Sequence, residues 1–472
     1  MNFKLKSITK NFSYTFVANF LSLVVSTILI IIVPKFIGIS SYGYWQLYLF
    51  FTTYISYMSL GITDGIYLRF GGSHYKDLPK RLLASQFWFI VFFDLMANFL
   101  ILYLYFINYD DINKLFVVAF TCVTGILVVP RSLVTFVLQA TNRIKEFSII
   151  LIIEKSLYFI FTITILLLGI KKFEILIYAD IGAKLFSTLY AIIICSDMIF
   201  QKLENLKTTM REVWINISVG IKLLVANLSS MLIIGIIRIS IEKNWSIDTF
   251  GKVSLTLSIS NMLMLFINSL AIVIFPVMRR TSKDNLIKLY PMLRLGIMTP
   301  LLGVLLFFYP MKFILSMWLP QYSDSLSYMA LLFPMCLYES KVLLLVNTYL
   351  KTLRRENILL KINLLVVITS FILTGITAFL LKNLIVTILL IVFLLALRCI
   401  ISELYLSKIL EIKVLKDIII ELIITIIFIV SSWNLPLLDA YYIYLFTYIC
   451  YIILKRKELT KLVQDSKNLM NS

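Results

Sequence analysis

The sequence predicts an all-α polytopic membrane protein of about fourteen transmembrane helices, and three observations carry that prediction. Apolar residues make up 60% of the 472-residue chain and charged residues 15%, with a mean hydropathy of +0.95. A soluble chain of this length has too little polar surface to cover so much apolar material. The apolar residues fall in successive runs, and a hydrocarbon core of roughly 30 Å takes roughly 20 residues of helix. Lysine and arginine concentrate in every second gap between runs, as they do in cytoplasmic loops.

The predicted helices are 12–33, 44–63, 83–107, 114–138, 147–169, 174–199 and 214–237, then 251–276, 292–313, 328–350, 360–381, 385–407, 417–433 and 438–454. The first follows the basic stretch Met1 to Lys10 and resembles a signal peptide in outline. Its run from Phe12 to Val33 is too long for an h-region and no small-residue cleavage site follows, so it reads as an uncleaved first helix. The basic gaps hold Arg69, Lys76, Lys80 and Arg81; Arg143 and Lys145; and Lys202, Lys207 and Arg211. The next hold Arg279, Arg280, Lys283 and Lys288; Lys351, Arg354 and Arg355; and Lys408, Lys413 and Lys416. The tail adds Lys455, Arg456, Lys457, Lys461 and Lys467. These gaps lie inside by the positive-inside rule, which puts both termini in the cytoplasm. The opposite gaps are short, and Asn108-Tyr109-Asp110-Asp111 reads as a solvated acidic turn. Trp433 to Asp439 is the weakest break.

The same pattern explains the net charge of +19. It belongs to loops that fix orientation, not to a nucleic-acid surface. Cys122, Cys195, Cys336, Cys399 and Cys450 stand singly within apolar runs, without metal or disulfide spacing, and read as packing residues.

An internal repeat divides the chain. Ser41-Tyr42-Gly43-Tyr44 enters the second helix, and Thr249-Phe250-Gly251-Lys252 enters the eighth about 210 residues later. Ile144-Lys145-Glu146 and Arg354-Arg355-Glu356 recur at a similar offset. An even number of helices separates the copies, so they share one orientation. This implies two lobes related by an axis along the membrane normal, with a cavity between them. The expected organisation is 1–205 for the first six helices, 206–412 for the next six, and 413–472 for two further helices and a basic tail.

Ionisable residues inside the runs are the candidate functional groups, since each costs roughly 2.5–3.5 kcal/mol at a helix centre on insertion scales. They are Asp94, Arg131, Glu154, Lys155, Asp180 and Lys184, then Lys222, Arg294, Glu339, Lys341, Arg398 and Glu403. Asp180 and Lys184 stand at i and i+4 and can pair. Glu154 and Lys155 point in different directions, Glu339 and Lys341 are poorly placed to meet, and Arg398 and Glu403 do not meet on one helix. Arg294 lies near a helix end and is expected to snorkel. Arg131 follows Pro130, where a kink frees carbonyls. Arg131, Lys155, Lys222, Lys341 and Arg398 lack a local carboxylate arrangement, and together would line a cationic cavity suited to a diphosphate or an acidic sugar. The competing reading pairs each with a carboxylate on a neighbouring helix. Asp180, Glu154 and Glu339 are the candidate proton or cation sites.

Other chemistries lack their residues. No Gly-rich phosphate loop ending in Lys-Ser/Thr is present. The single histidine, His74, falls in a basic loop, and no gap on the outer side is long enough for a catalytic domain. The sequence therefore points to transport rather than catalysis, with no metal site and no cofactor.

Several ordered motifs carry a resemblance. Val33-Pro34-Lys35-Phe36-Ile37-Gly38, then Tyr42-Gly43-Tyr44-Trp45, Leu60-Gly61 and Arg69-Phe70 are followed by Leu138-Gln139-Ala140 with Lys145-Glu146. Phe250-Gly251, Pro276, Trp318-Leu319-Pro320-Gln321-Tyr322-Ser323-Asp324-Ser325 and Pro334 continue the set. Over most of the first 360 residues this resembles the polysaccharide flippases, the O-antigen and capsule repeat-unit translocases of the MATE-like MOP superfamily. Arg238 departs from it, standing where relatives often carry an acidic residue ahead of a basic one.

The resemblance implies two six-helix lobes, and two extra helices forming a groove for a lipid tail. It implies a polyprenyl-pyrophosphate-linked oligosaccharide as cargo, moved to the outer leaflet of the cytoplasmic membrane by alternating access, with a proton or sodium gradient as the drive. Membrane lipids, a polysaccharide polymerase and glycosyltransferases are the implied partners. The alternatives are a small-molecule exporter of the same superfamily, which for cationic cargo wants an acidic cavity, and a membrane polymerase, which wants a long outer loop or a membrane histidine.

Overall fold

The computed structural model describes residues 2–108, 111–279 and 283–461. Only the backbone is described for residues 2–12, 108, 263, 265–279, 283–284, 288 and 356. Asp110, Pro276, Arg279, Arg280, Lys283, Lys288, Glu356 and Lys467 therefore lie outside the described side chains. No strand occurs among the described residues, and the chain is an all-α, multi-pass membrane protein. Eleven helices among them are long and apolar enough to cross a membrane.

Three further predicted crossings are also helical. The segment 44–63 is split between a seventeen-residue helix, a short turn and a second helix. The segment 251–276 lies within Ile247–Arg279. The segment 417–433 lies within Leu415–Asn434, which carries Asp417 and Glu421.

The chain divides into two compact units, Met1–Leu228 and Ser229–Ser472. In the first, α1 (Asn2–Phe36) is followed by α2 (Ile39–Ile55), α3 (Ile62–Phe70), α4 (Lys80–Asn108) and α5 (Ile112–Ala140). Then come α6 (Ile144–Leu167), α7 (Phe173–Ile194), the single turn α8 (Ser196–Ile199) and α9 (Leu206–Asn244). Asp111, expected in a solvated turn, caps α5: its carboxylate accepts from the backbone N–H groups of Asn113 and Lys114 at 2.9 and 3.1 Å. Packing of Ile62, Leu83, Leu133, Leu138, Met198 and Val213 ties α3, α4, α5, α8 and α9 into one core.

The expected boundary at 205/206 is the start of α9, whereas the compact units part at Leu228, inside that helix. A close crossing explains why the first half of α9 stays with the first unit. A Cβ built on Gly65 of α3 would sit 2.1 Å from the Asn216 carbonyl oxygen, and one on Gly220 would sit 2.0 Å from the Gly61 carbonyl oxygen. Only glycine admits such an approach. Arg69, closing α3, reaches over to Glu212 at 3.0 Å and to Asn216 Oδ1 at 2.6 Å. The Asn216 amide in turn donates to Gln86 on α4 at 2.7 Å.

The second unit contains α10 (Ile247–Arg279), α11 (Lys283–Val304), α12 (Phe308–Trp318), α13 (Leu326–Leu332) and α14 (Met335–Lys341). It continues with α15 (Thr348–Thr352), α16 (Glu356–Thr374), α17 (Leu384–Leu410), α18 (Leu415–Asn434) and α19 (Leu437–Leu454). The segment Leu326–Thr352, running through α13 to α15, is 89% buried over its most apolar window and is the centre of this unit. A π-helical stretch, Val342–Asn347, follows Lys341 directly. Such bulges re-aim the residues beside them and recur at functional sites.

Candidate functional site

Most of the ionisable side chains that would be prohibitive alone in hydrocarbon are gathered into networks within each unit. In the first unit, Tyr48 of α2 is fully buried and donates to Asp180 of α7 at 2.6 Å. Its hydroxyl also meets Thr124 of α5 at 2.8 Å. Lys184, one turn along α7, closes on the same Asp180 oxygen and lies 5.6 Å from the centre of the Tyr48 ring. Another turn on, Ser187 accepts from the Arg131 guanidinium. Arg131 holds Glu154 of α6 at 2.6 Å, and Lys155 stands 3.7 Å from the other Glu154 oxygen. Three cations thus face two carboxylates, with Lys155 about one-third exposed. Tyr48→Phe is expected to cost about 1–2 kcal/mol, because Asp180 loses a charged hydrogen bond while keeping Lys184; the melting midpoint in detergent checks it.

The network of the second unit is larger. Lys341 of α14 is 2% exposed; its ammonium bridges Glu403 of α17 and Glu421 of α18, the latter at 2.7 Å. Arg294 of α11 reaches the same two carboxylates at 2.6 and 2.9 Å, and Asp417 at 3.4 Å. Tyr290 donates to Glu403 at 3.1 Å. Lys455, just past α19, holds Asp417 at 2.7 Å. On the same central helix Glu339 receives Arg398 of α17 at 3.1 Å, and Arg398 also donates to Asn363 of α16 at 2.9 Å. A buried charge survives in low dielectric only with such pairing.

The i,i+4 pair of Asp180 and Lys184 is present as expected. Arg131, Lys341 and Arg398, read as lacking local partners, each meet a carboxylate on another helix, so the interhelical reading holds for these three. Arg294 does not snorkel. It is buried, because carboxylates from α17 and α18 surround its guanidinium. Lys222 differs from all of these: it is exposed on α9 and no ion pair reaches it among the described residues. Tyr48, Tyr290, Asp417 and Glu421 were not singled out from the sequence. Asp417 and Glu421 stand at i and i+4 at the start of an apolar helix, a pattern that marks one charged face.

A mostly apolar groove of about 730 Å³ lies in the second unit between α12 and α19, lined by Tyr309, Pro310, Phe313, Leu437, Leu438 and Tyr441. Among the described residues no group of three or more His, Cys, Asp or Glu side chains is placed to hold a metal ion.

No protein-family model and no curated protein matches the chain. Solved structures do. The chain is similar to the lipid II flippase MurJ in an inward closed conformation, with a TM-score of 0.63 at 13% identity, covering 96% of this chain and 100% of that one. It is similar to an inward-facing multidrug resistance MATE family transporter of the MOP superfamily, with a TM-score of 0.59 at 11% identity, covering 83% and 98%. A MATE in a straight conformation gives a TM-score of 0.52 at 11% identity, covering 84% and 93%. The fold is the one these transporters share.

Proposed function

We propose that this chain flips a polyprenyl-pyrophosphate-linked oligosaccharide from the cytoplasmic to the outer leaflet of the cell membrane, by alternating access and without catalysing a reaction. The observation that carries the reading is the extent of the likeness to the lipid II flippase. It covers 96% of this chain, against 83% for the multidrug transporter, a difference of the size that two additional helices make. Lipid II flippase is a name for a carrier of lipid-linked cargo, and the ordered motifs of the sequence point the same way.

In this reading both termini are cytoplasmic, the chain crosses the membrane fourteen times, and the groove beside α19 takes an isoprenoid tail. Lys222, exposed on α9 and free of an ion pair among the described residues, binds the diphosphate. Lys155, about one-third exposed at the edge of the first network, is the second cation available to it. Arg131, Lys341 and Arg398 serve that cargo through the carboxylates they already hold, and Asp180, Glu154 and Glu339 are the coupling carboxylates. A polymerase and glycosyltransferases are the partner enzymes. An exporter of small molecules is the second reading, favoured by the likeness to the multidrug transporter.

The test is the leaflet distribution of lipid-linked oligosaccharide in cells with and without the chain. Accumulation on the cytoplasmic face, reversed on re-expression, is the expected result; an unchanged distribution with normal surface glycan refutes flipping. Lys222→Ala is expected to slow translocation about tenfold, equivalent to about 1.4 kcal/mol. Its melting midpoint should not move, because the side chain is exposed and unpaired. An unaltered rate removes Lys222 from the cargo site.

A further inference from the structure

Five carboxylates are buried among the described residues: Asp94, Glu154, Asp180, Glu403 and Glu421. Four of them hold a cation. Asp94 does not. It is 1% exposed, and neither of its carboxylate oxygens has a hydrogen-bond partner among the described residues.

Its surroundings make the orphan position specific. The neighbouring faces of α4 are turned outward: Phe92, Leu95, Met96 and Phe99 are all exposed. Asp94 and Asn98 form the one buried polar strip of that stretch, and Asn98 is itself 4% exposed. The strip faces α5 at Gly125, where a Cβ would come within 3.0–3.4 Å of the Asn98 amide group. The Asn98 amide donates one N–H to the Asp94 backbone carbonyl at 2.9 Å and stands within electrostatic reach of the carboxyl. Cys122 of α5 is within electrostatic reach of Asp94.

Of the other charged groups on the packed elements, Arg81 lies at the exposed start of α4 and Lys114 at the start of α5. Arg131 of α5 holds Glu154. Asp197 of α8 holds Lys80 at the far start of α4. Tyr57, in the turn before α3, has Asp64 as its charged neighbour.

An ionised carboxylate with no cation and no formed hydrogen bond is expensive in such a place, whereas the neutral acid is not. We propose that Asp94 is a proton-binding site: the carboxylate takes one proton from water, is carried as the neutral acid while α4 and α5 are closed on it, and returns that proton to water. A bound proton fits better than a metal cation, because one carboxylate and one amide supply too few oxygens for sodium. Proton binding itself does not depend on the cargo. Use of the proton to drive transport rests on the function proposed above.

The experiment is infrared spectroscopy of the purified full-length chain in lipid nanodiscs, comparing wild type, Asp94→Asn and Asp94→Glu. At neutral pH the wild type is expected to show a carboxylic-acid carbonyl band that shifts in heavy water and disappears at alkaline pH. Asp94→Asn should lack that band, and Asp94→Glu should keep it at a displaced frequency. Identical wild-type and Asp94→Asn spectra would overturn the proposal, as would loss of the band on adding sodium at fixed pH. If Asp94→Asn does not fold, an undisplaced band in Asp94→Glu overturns it instead. A retained band in a chain that fails to flip lipid-linked oligosaccharide would refute the cargo and leave the proton site standing.

Discussion

Lys341→Met is expected to destabilise the second unit by about 3–5 kcal/mol, the range for removing one partner from a buried ionic cluster. The ammonium of Lys341 is shared between Glu403 and Glu421, which are fully and almost fully buried. Without it, Arg294 alone must answer both of these carboxylates, while Asp417 keeps Lys455. One guanidinium cannot neutralise two carboxylates, and burial makes the uncompensated charge costly. The loss should show as a lowered melting midpoint and a reduced monodisperse yield after detergent extraction. Adding Glu421→Gln should recover more than half of the loss, because it withdraws the charge left without a partner. A single variant melting like wild type would mean that water reaches these carboxylates and that the cluster does not hold the unit together.

Gly65→Ala and Gly220→Ala should each cost about 3 kcal/mol, at the upper end for inserting a methyl group into a packed contact. The obstacles are backbone atoms, the carbonyl oxygens of Asn216 and Gly61, so no rotamer change relieves the clash. α3 and α9 would have to part, and the 2.6 Å bond from Arg69 to Asn216 would lengthen with them. Gly38→Ala is the matched control: nothing lies within 4 Å of its Cβ position and its φ is −66°. Melting midpoints of the three variants, each compared with wild type, decide the matter. Equal midpoints for Gly220→Ala and Gly38→Ala would show that the crossing is loose.

The helical class and the order of the helices were legible because hydrophobic run length depends on the bilayer and not on tertiary partners. The Asp180–Lys184 pair was legible because i,i+4 geometry is local. The remaining pairs were not. Arg131 has no acidic residue near it in the sequence, and only the packing of α5 on α6 brings Glu154 to it. Glu421 was passed over because it sits where an apolar run begins, a position that usually faces headgroups; here it is 4% exposed. Arg294 was misread for the same reason. The glycine crossing was beyond reach, since Gly61, Gly65 and Gly220 look unremarkable until two backbones are brought together.

The cluster around Lys341 has a consequence for the order in which the chain is made. Arg294 precedes Glu403 by 109 residues, and Lys341 precedes Glu421 by 80. A ribosome therefore delivers both cations to the bilayer well before either acid exists to receive them. Until α17 and α18 emerge, the nascent second unit carries two charges that nothing yet made by this cluster can neutralise. Its assembly is gated by the arrival of late segments, and a chain interrupted ahead of Asp417 would present quality-control proteases with a bundle that cannot close.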